Sequence, residues 1–361
     1  MNSPFPYERL PLKEEFFGRT QELEKLSTIV KYSNNMLIHS KRRMGKSSLI
    51  KTFFEQNKDD YLCIYVDIFD ITSKEDFAQL LLKALANAGK FDLKTAIKNL
   101  TSLFKRVRVE PTIDPNSLEY SIKPIVATLS FEEMFEDFFN SLNELSKTNK
   151  IILAIDEFQQ IANITDVKLD AMMRKYIQEK QNISYIFLGS KRHMLTSLFE
   201  YKAPLYELAT HYELQPLKVD DIYNYAKRFL DLDTDMVDYI YEKSDGETKM
   251  VQNILHLLYI NREKKVSKEL IDEAINEILG SKDSSYKLLF DTLGNNQKIA
   301  LKIVGIYKSG VFASSILTQY NIKKQTLQSS IDTLLKKELV DKEDDRYFIP
   351  DRTFELWVDG L

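Results

Sequence analysis

The sequence predicts an α/β fold: a parallel sheet flanked by helices, then a helical segment, then a winged helix-turn-helix. Three observations predict it. A short apolar run, "MLIH" at 36–39, enters a loop that continues as "KSSLIKTFFEQ", where Leu49, Ile50, Phe53 and Phe54 recur at helical spacing. Further apolar runs alternate with helical patterns as far as Pro216. From Tyr286 the pattern becomes helix, turn, helix and two short strands.

In chain order, strands are expected at 36–39, 61–68 ("YLCIYVDI"), 151–155 ("IILAI"), 183–188 ("ISYIFL") and near 212–217 ("YELQPL"). Helical patterns separate them at 73–88, 129–147 and 166–180. Strands that alternate with helices pair in parallel through right-handed crossovers. Residues 105–126 interrupt the alternation, and the turn-rich "DPNS" between alternating residues reads as a β-hairpin insertion. Helical periodicity fills 218–279, broken by "DLDTD" and "KSDGETK", and reads as a small lid. "VFASSILTQYNI" then gives a short helix and turn, and "KKQTLQSSIDTLLKKEL" a helix with Leu327, Ile331, Leu334 and Leu335 on one face. "VDKEDDRYFI" gives two strands around an acidic turn. The expected domains are therefore 1–216, with the hairpin at 105–126, then 217–282 and 283–361.

Composition narrows the function. The net charge of −4 gives no strong basic field of the kind that advertises nucleic acid. The single cysteine, Cys63, cannot form an internal disulfide, and its apolar setting predicts a core residue. No run of 18 apolar residues predicts a membrane span. "MNSPFPYERLPLKEEFF" lacks the basic start and apolar centre of a signal peptide, so a soluble, cytoplasmic protein is expected. The four histidines, at 39, 193, 211 and 256, show no zinc spacing.

The loop at 40–48 carries the chemistry. A phosphate loop has the pattern G-x-x-x-x-G-K-[ST], and here Ser40 stands at the first glycine. Gly45 lets the backbone approach an anion, Lys46 supplies charge to the β- and γ-phosphates, and Ser47 offers a hydroxyl to Mg²⁺. Ser40 is a small substitute that eases the turn out of the strand. The candidate nucleotide-binding stretch is Ser40, Lys41, Arg42, Arg43, Met44, Gly45, Lys46, Ser47 and Ser48. Taken alone, it would equally serve as a basic strand-to-helix turn that binds nothing. A second motif decides for the nucleotide: "IILAIDEFQQI" is an apolar strand ending in Asp156, suited to Mg²⁺, and Glu157, placed to orient or deprotonate a water. A third apolar strand ends in "FLGSKRHM", where Ser190 is positioned either to contact phosphate or the attacking water, or to cap a helix. Arg192, two residues on, reaches phosphate in the same or a neighbouring chain.

With these motifs in hand, the chain resembles the archaeal-type ATPases, in the STAND branch of AAA-related P-loop NTPases. "EEFFGRTQELEKL" (14–26), "KRRMGKSSLI", "LAIDEFQQ", "YIFLGSKRHM" and "APLYELATHYELQPL" (203–217) follow the family's order, and the resemblance runs through a helical lid to a winged helix ending in "FELWV" (354–358). It implies a sheet of order 5-1-4-3-2, ATP or ADP with Mg²⁺ as the bound group, and a nucleotide clasped between core and lid. Gly18 and Arg19 of "FFGR" resemble the family segment that lies along adenine and ribose. From the residues alone, they form a turn before a helix capped by Thr20.

Two departures from the family concern turnover. Glu207-Leu208 stands where the family often has Gly-Arg, and "DGETK", with Gly246 and Thr248, where the lid often has Gly-Gly-x-Pro. Hydrolysis is therefore expected to be slow and to need an arginine from a second molecule, with Arg174 and Arg192 as candidates. Arg42 and Arg43 are expected to contact phosphate or an acidic neighbour in their own subunit.

Three uses of ATP compete: a nucleotide-controlled switch that holds a protein partner or a second copy, a DNA-acting ATPase working through the winged helix, and the regulatory half of a nuclease or toxin system. The chain ends at Leu361 without a nuclease-like domain, so such an effector is expected in trans. Eleven Lys/Arg and ten Asp/Glu in 286–361, with the acidic "DKEDDR" in the wing, limit DNA contact to a weak one through Lys323, Lys324, Lys336 and Lys337. The basic "FKRVRV" end of the hairpin reads either as a partner surface or as a solvated ribbon.

Overall fold

A computed structural model describes residues 3–88, 103–113, 120–126, 129–179, 182–190, 192–261, 265–343 and 345–361. The chain forms two compact units. One consists of Arg19–Ser40 and Lys46–Leu214, and the other of Met1–Gly18, Lys41–Gly45 and Gln215–Leu361.

The first unit is built on a parallel sheet. Its strands are β1 (Met36–His39), β2 (Leu62–Asp67), β5 (Ile151–Asp156), β6 (Ile183–Gly189) and β7 (Thr210–Glu213), and β3 (Arg108–Ile113) and β4 (Tyr120–Ile125) lie outside it. The sheet order is β2-β5-β6-β1-β7, with every pair parallel. Counted one to five along the chain, these strands give the expected 5-1-4-3-2. β5 and β6 are buried at every residue, as continuous apolar runs in the middle of a parallel sheet must be. β2 is at the edge, and this corrects the reading of Cys63: it is half-buried, not a core residue, and burial pushes its thiol up to about 12.

β7 is shorter and earlier than the sequence suggests. β1 offers only four residues to pair with, and the ladder closes when Leu214 N–H donates to the His39 carbonyl at 2.9 Å. Pro216, without an N–H, cannot extend it.

The helices of this unit are α1 (Thr20–Lys31), α2 (Lys46–Asn57), α3 (Lys74–Ala86), α4 (Phe131–Ser146), α5 (Leu169–Glu179) and α6 (Arg192–Phe199). Ser73 and Ser130 cap α3 and α4, each accepting a hydrogen bond from the backbone N–H three residues on. α4 turns Phe131, Phe135, Phe138 and Phe139 into the core. Thr20 does not cap α1: Arg19 holds the N-cap position without a side-chain cap, and Thr20 is already helical. β3 and β4 form the antiparallel hairpin, tied down by Asn87, which bonds both the N–H and the carbonyl of Ile122. The "DPNS" turn lies outside the described residues.

The second unit is helical: α7 (Val219–Ala226), α8 (Thr234–Ser244), α9 (Thr248–Ile260) and α10 (Lys268–Asp291), followed by α11 (Asn295–Tyr307), α12 (Ser314–Gln319), α13 (Lys324–Lys336), β8 (Asp341–Glu343), β9 (Arg346–Phe348) and α14 (Arg352–Asp359). Phe5 of the N-terminal segment is buried among Tyr225, Phe229 and Tyr259. In α13, Leu327, Ile331 and Leu334 are buried and Leu335 is half-buried, with β8 and β9 forming the wing. α10 serves two cores, with Ile271, Ala274, Ile275 and Ile278 in one and Tyr286, Leu289 and Phe290 against the other. Among the described residues, no helix is long and apolar enough to cross a membrane.

Asn35 locks the start of β1 to both sides of the sheet. Its amide donates to the Leu208 carbonyl at 2.6 Å and accepts Tyr185 N–H at 3.0 Å. Asn35→Ala strands those buried groups, and chemical denaturation should show a loss of about 2–4 kcal/mol. A loss below about 0.5 kcal/mol would show that the sheet does not depend on it.

Candidate functional site

The C-terminal ends of β1, β5 and β6 bring together the candidate residues of the first unit. α2 starts at Lys46, directly after Gly45, whose φ of +92° lies where L-residues are disfavoured. Ser40 needs no such freedom, since it is absent from the positive-φ positions, and this explains why serine is tolerated there. Serine also adds a contact that glycine lacks. The buried Lys46 ammonium donates to the Ser40 hydroxyl at 3.1 Å and to the Ser40 carbonyl at 3.2 Å. Ser47, in the first turn of α2, donates its hydroxyl to Asp156 Oδ2 at 2.6 Å. Ser48 follows it in that turn, half-buried.

Asp156 is buried at the tip of β5, and its other oxygen accepts Glu157 N–H at 2.9 Å. Ser47 and Asp156 offer hard oxygen donors, the kind Mg²⁺ takes in combination with substrate phosphate. Among the described residues, no group of three or more His, Cys, Asp or Glu side chains could hold a metal. Two protein oxygens of this kind would suit a magnesium ion whose remaining ligands come from phosphate and water.

Glu157 sits at φ 54°, ψ 40°, a left-handed conformation that costs a non-glycine residue about 1–3 kcal/mol. Strain of this kind persists where surrounding contacts over-determine it. Ser190, at the end of β6, donates to Glu157 Oε2 at 3.1 Å, and the Gln159 amide donates to the same oxygen. Gln159 is buried, and its Oε1 has no partner among the described atoms. Gly189 is what lets it fit: a Cβ there would lie 2.2 Å from Gln159 Oε1 and 1.8 Å from Leu195 Cδ1.

Sequence reasoning missed Gln159 and also Tyr65 on β2, whose hydroxyl donates to Asp156 Oδ2. Burial first, and the Asp156 carboxylate second, hold the Tyr65 phenol well above its ordinary value, so it remains a donor. The signal for Tyr65 was a polar-tipped residue inside the apolar run "YLCIYVDI", but only the β2–β5 register gives it meaning. Arg174 donates to the Pro204 carbonyl within the unit. Arg192 opens α6, and its side chain lies outside the described residues. Arg19 is buried and pairs with Glu22 at 2.9 Å.

In the second unit, the piece Lys41–Gly45 is gripped by acidic residues. Lys41 pairs with Asp245 at 2.9 Å, Arg42 with Glu338 at 2.7 Å, and Arg43 with Asp351 at 2.6 Å and Glu247 at 3.8 Å. Lys249 N–H donates to the Arg43 carbonyl at 3.2 Å, and the Thr248 hydroxyl to the Met44 carbonyl at 3.3 Å. The segment "DGETK" thus holds the backbone of the loop as well as its charges. Gly18 packs against α7 and the residues before it, where a Cβ would lie 2.9 Å from Leu217 Cδ2 and 3.0 Å from Asp221 Cβ.

Burial pushes the Glu247 carboxyl up to about 7, with Asp351 raising it further and Arg43 opposing. The folded pKa lies above the ordinary 4.5, so the stability Glu247 contributes is complete below about pH 4.5 and lost as pH rises through about 7. Glu247→Gln should flatten this slope in thermal melts between those pH values. An unchanged slope would assign it to other groups.

Comparison with known proteins gives the chain a family and a fold. Residues 16–254 match the family described as "ATPase domain predominantly from Archaea", and residues 284–360 match "Probable winged helix domain". No curated protein matches the chain. Among solved structures, the Walker-type ATPase of Pyrococcus abyssi is 18% identical, with 99% of each chain covered and a TM-score of 0.65. The ORC2 protein of Aeropyrum pernix is 14% identical over 99% of this chain and 96% of that one, with a TM-score of 0.55. The ORC1 protein of Aeropyrum pernix, solved in complex with DNA, is 14% identical over 96% and 93%, with a TM-score of 0.53. These structures share the fold, and the family match spans more than half of the chain. With its phosphate loop, its strand ending in Asp156 and Glu157 and its C-terminal winged helix, the chain belongs to the family of ATPase domains found predominantly in Archaea.

Proposed function

We propose that the protein is an ATP-binding, slowly ATP-hydrolysing switch, in which nucleotide at the loop sets the state of the winged helix and so the binding of a protein partner or a second copy. The supporting observation is the pairing of Arg42 with Glu338, at the end of α13, and of Arg43 with Asp351, which caps α14 through the N–H groups of Thr353 and Phe354. The Arg42–Glu338 pair is exposed at both partners, where an ion pair contributes only about 0–1 kcal/mol, and Asp351 in the Arg43 pair is half-buried. Arginine binds carboxylate and phosphate through the same bidentate geometry, so a triphosphate at the loop would compete with Glu338 and Asp351 for these guanidinium groups.

At the site, the Lys46 ammonium, now bonded to Ser40, would serve the phosphate, and Ser47 and Asp156 would hold Mg²⁺. The metal, when bound, polarises the phosphoryl oxygens and offsets their charge. Glu157 orients the attacking water and accepts its proton, with Ser190 and Gln159 fixing the carboxylate through Oε2. Arg174 or Arg192 of a second molecule completes the positive charge around the transferring group.

A second reading, weak DNA contact, is favoured by Lys323, Lys324, Lys336 and Lys337, all exposed at the two ends of α13. The DNA-bound ORC1 protein of similar fold lends it support. The exposed acidic Asp345 in the wing opposes it.

Two measurements test the switch. By calorimetry, Lys46→Ala should weaken Mg-ATP binding by roughly 100-fold or more, while Ser40→Gly, which removes one hydrogen bond from resting Lys46, should tighten it by up to about tenfold. Wild-type affinity in Lys46→Ala would reject the site. In hydrogen exchange, ATP should loosen the amides around Glu338 and Asp351, and Glu338→Ala combined with Asp351→Ala should produce that loosening without nucleotide. Exchange there that ignores ATP would reject the coupling to the winged helix.

A further inference from the structure

We infer that Tyr65 is a positioning residue for the metal at this site: its phenol hydroxyl, together with the Ser47 hydroxyl, fixes the Asp156 carboxylate in the orientation that receives Mg²⁺. The inference rests on the reading of the loop as a Mg-ATP site. Asp156 Oδ2 accepts from Ser47 and from Tyr65, and Oδ1 accepts from Glu157 N–H. Three donors from three elements thus set the plane of one buried carboxylate, and Tyr65 contributes one of the two side-chain donors among them.

The strand register puts Tyr65 in place. Tyr65 pairs with Ala154 and Asp67 with Asp156, so Tyr65 lies one strand over and two residues back from the carboxylate. Cys63, Tyr65 and Asp67 share one face of β2, and Ile64 and Val66 bury the other. On that face, the Lys51 ammonium lies 4.6 Å from the Tyr65 ring centroid. Lys51 is one turn beyond Ser47 on α2. The same helix therefore presents Ser47 to the carboxylate and Lys51 to the ring that steadies it. Partners that orient a metal-ligating carboxylate typically change metal affinity by about 10–100-fold when removed.

The test uses the full chain and Mn²⁺ as a spectroscopic stand-in for Mg²⁺. ATP affinity is measured in EDTA, and Mn²⁺ affinity of the ATP-loaded protein by electron paramagnetic resonance. Tyr65→Phe, which removes only the hydroxyl, should leave metal-free ATP affinity within about twofold and weaken Mn²⁺ binding by about tenfold or more. Tyr65→His, which restores a donor, should recover part of the loss. Asp156→Asn should cost less in the Tyr65→Phe background than alone, because the two act through one carboxylate. Unchanged Mn²⁺ affinity in Tyr65→Phe, or full additivity with Asp156→Asn, would overturn the inference. Failure of the wild-type chain to bind ATP at all would instead overturn the nucleotide reading on which it rests.

Discussion

The site depends on one buried carboxylate. Asp156 joins the tip of β5 to the first turn of α2 through Ser47, to β2 through Tyr65, and to the strained Glu157 through its backbone N–H. A buried carboxylate without hydrogen bonds is costly, so these donors are as necessary to the fold as to any chemistry. Together these donors, from α2, from β2 and from the backbone after β5, fix the plane of the carboxylate.

Around that carboxylate, glycine stands where a left-handed turn or a close approach of side chains requires it. Gly45 carries the left-handed turn into α2, and Gly189 makes room for Gln159. Glu157 takes a left-handed conformation without being glycine, and it is held there by Ser190 and Gln159. Within the second unit, Lys41, Arg42 and Arg43 are each paired with an acidic side chain.

Much of this was legible in the sequence. Apolar runs gave β1, β5 and β6 because a central parallel strand buries both faces, the run at 61–68 gave the edge strand β2, and the loop and the strand ending in Asp156 and Glu157 were readable as motifs. The hydrophobic face of α13 and the acidic wing were readable from their periods. Three things were not. The half-burial of Cys63 depends on which face of the edge strand β2 is covered, which the run "YLCIYVDI" does not state. The limits of β7 depend on the four-residue length of its partner. The roles of Tyr65 and Gln159 depend on register and on a void left by Gly189, and neither appears in a one-dimensional pattern.

The helix Lys268–Asp291 has a thermodynamic consequence. Its first half completes one hydrophobic cluster and its second half lies against another, without a break between them. Melting either cluster exposes half of a rod whose remaining turns are still packed, and a helix frays from an end more easily than it breaks in the middle. The C-terminal winged region and the helices before it are therefore expected to unfold as one cooperative block, so a ligand that stabilises either cluster raises the melting temperature of both.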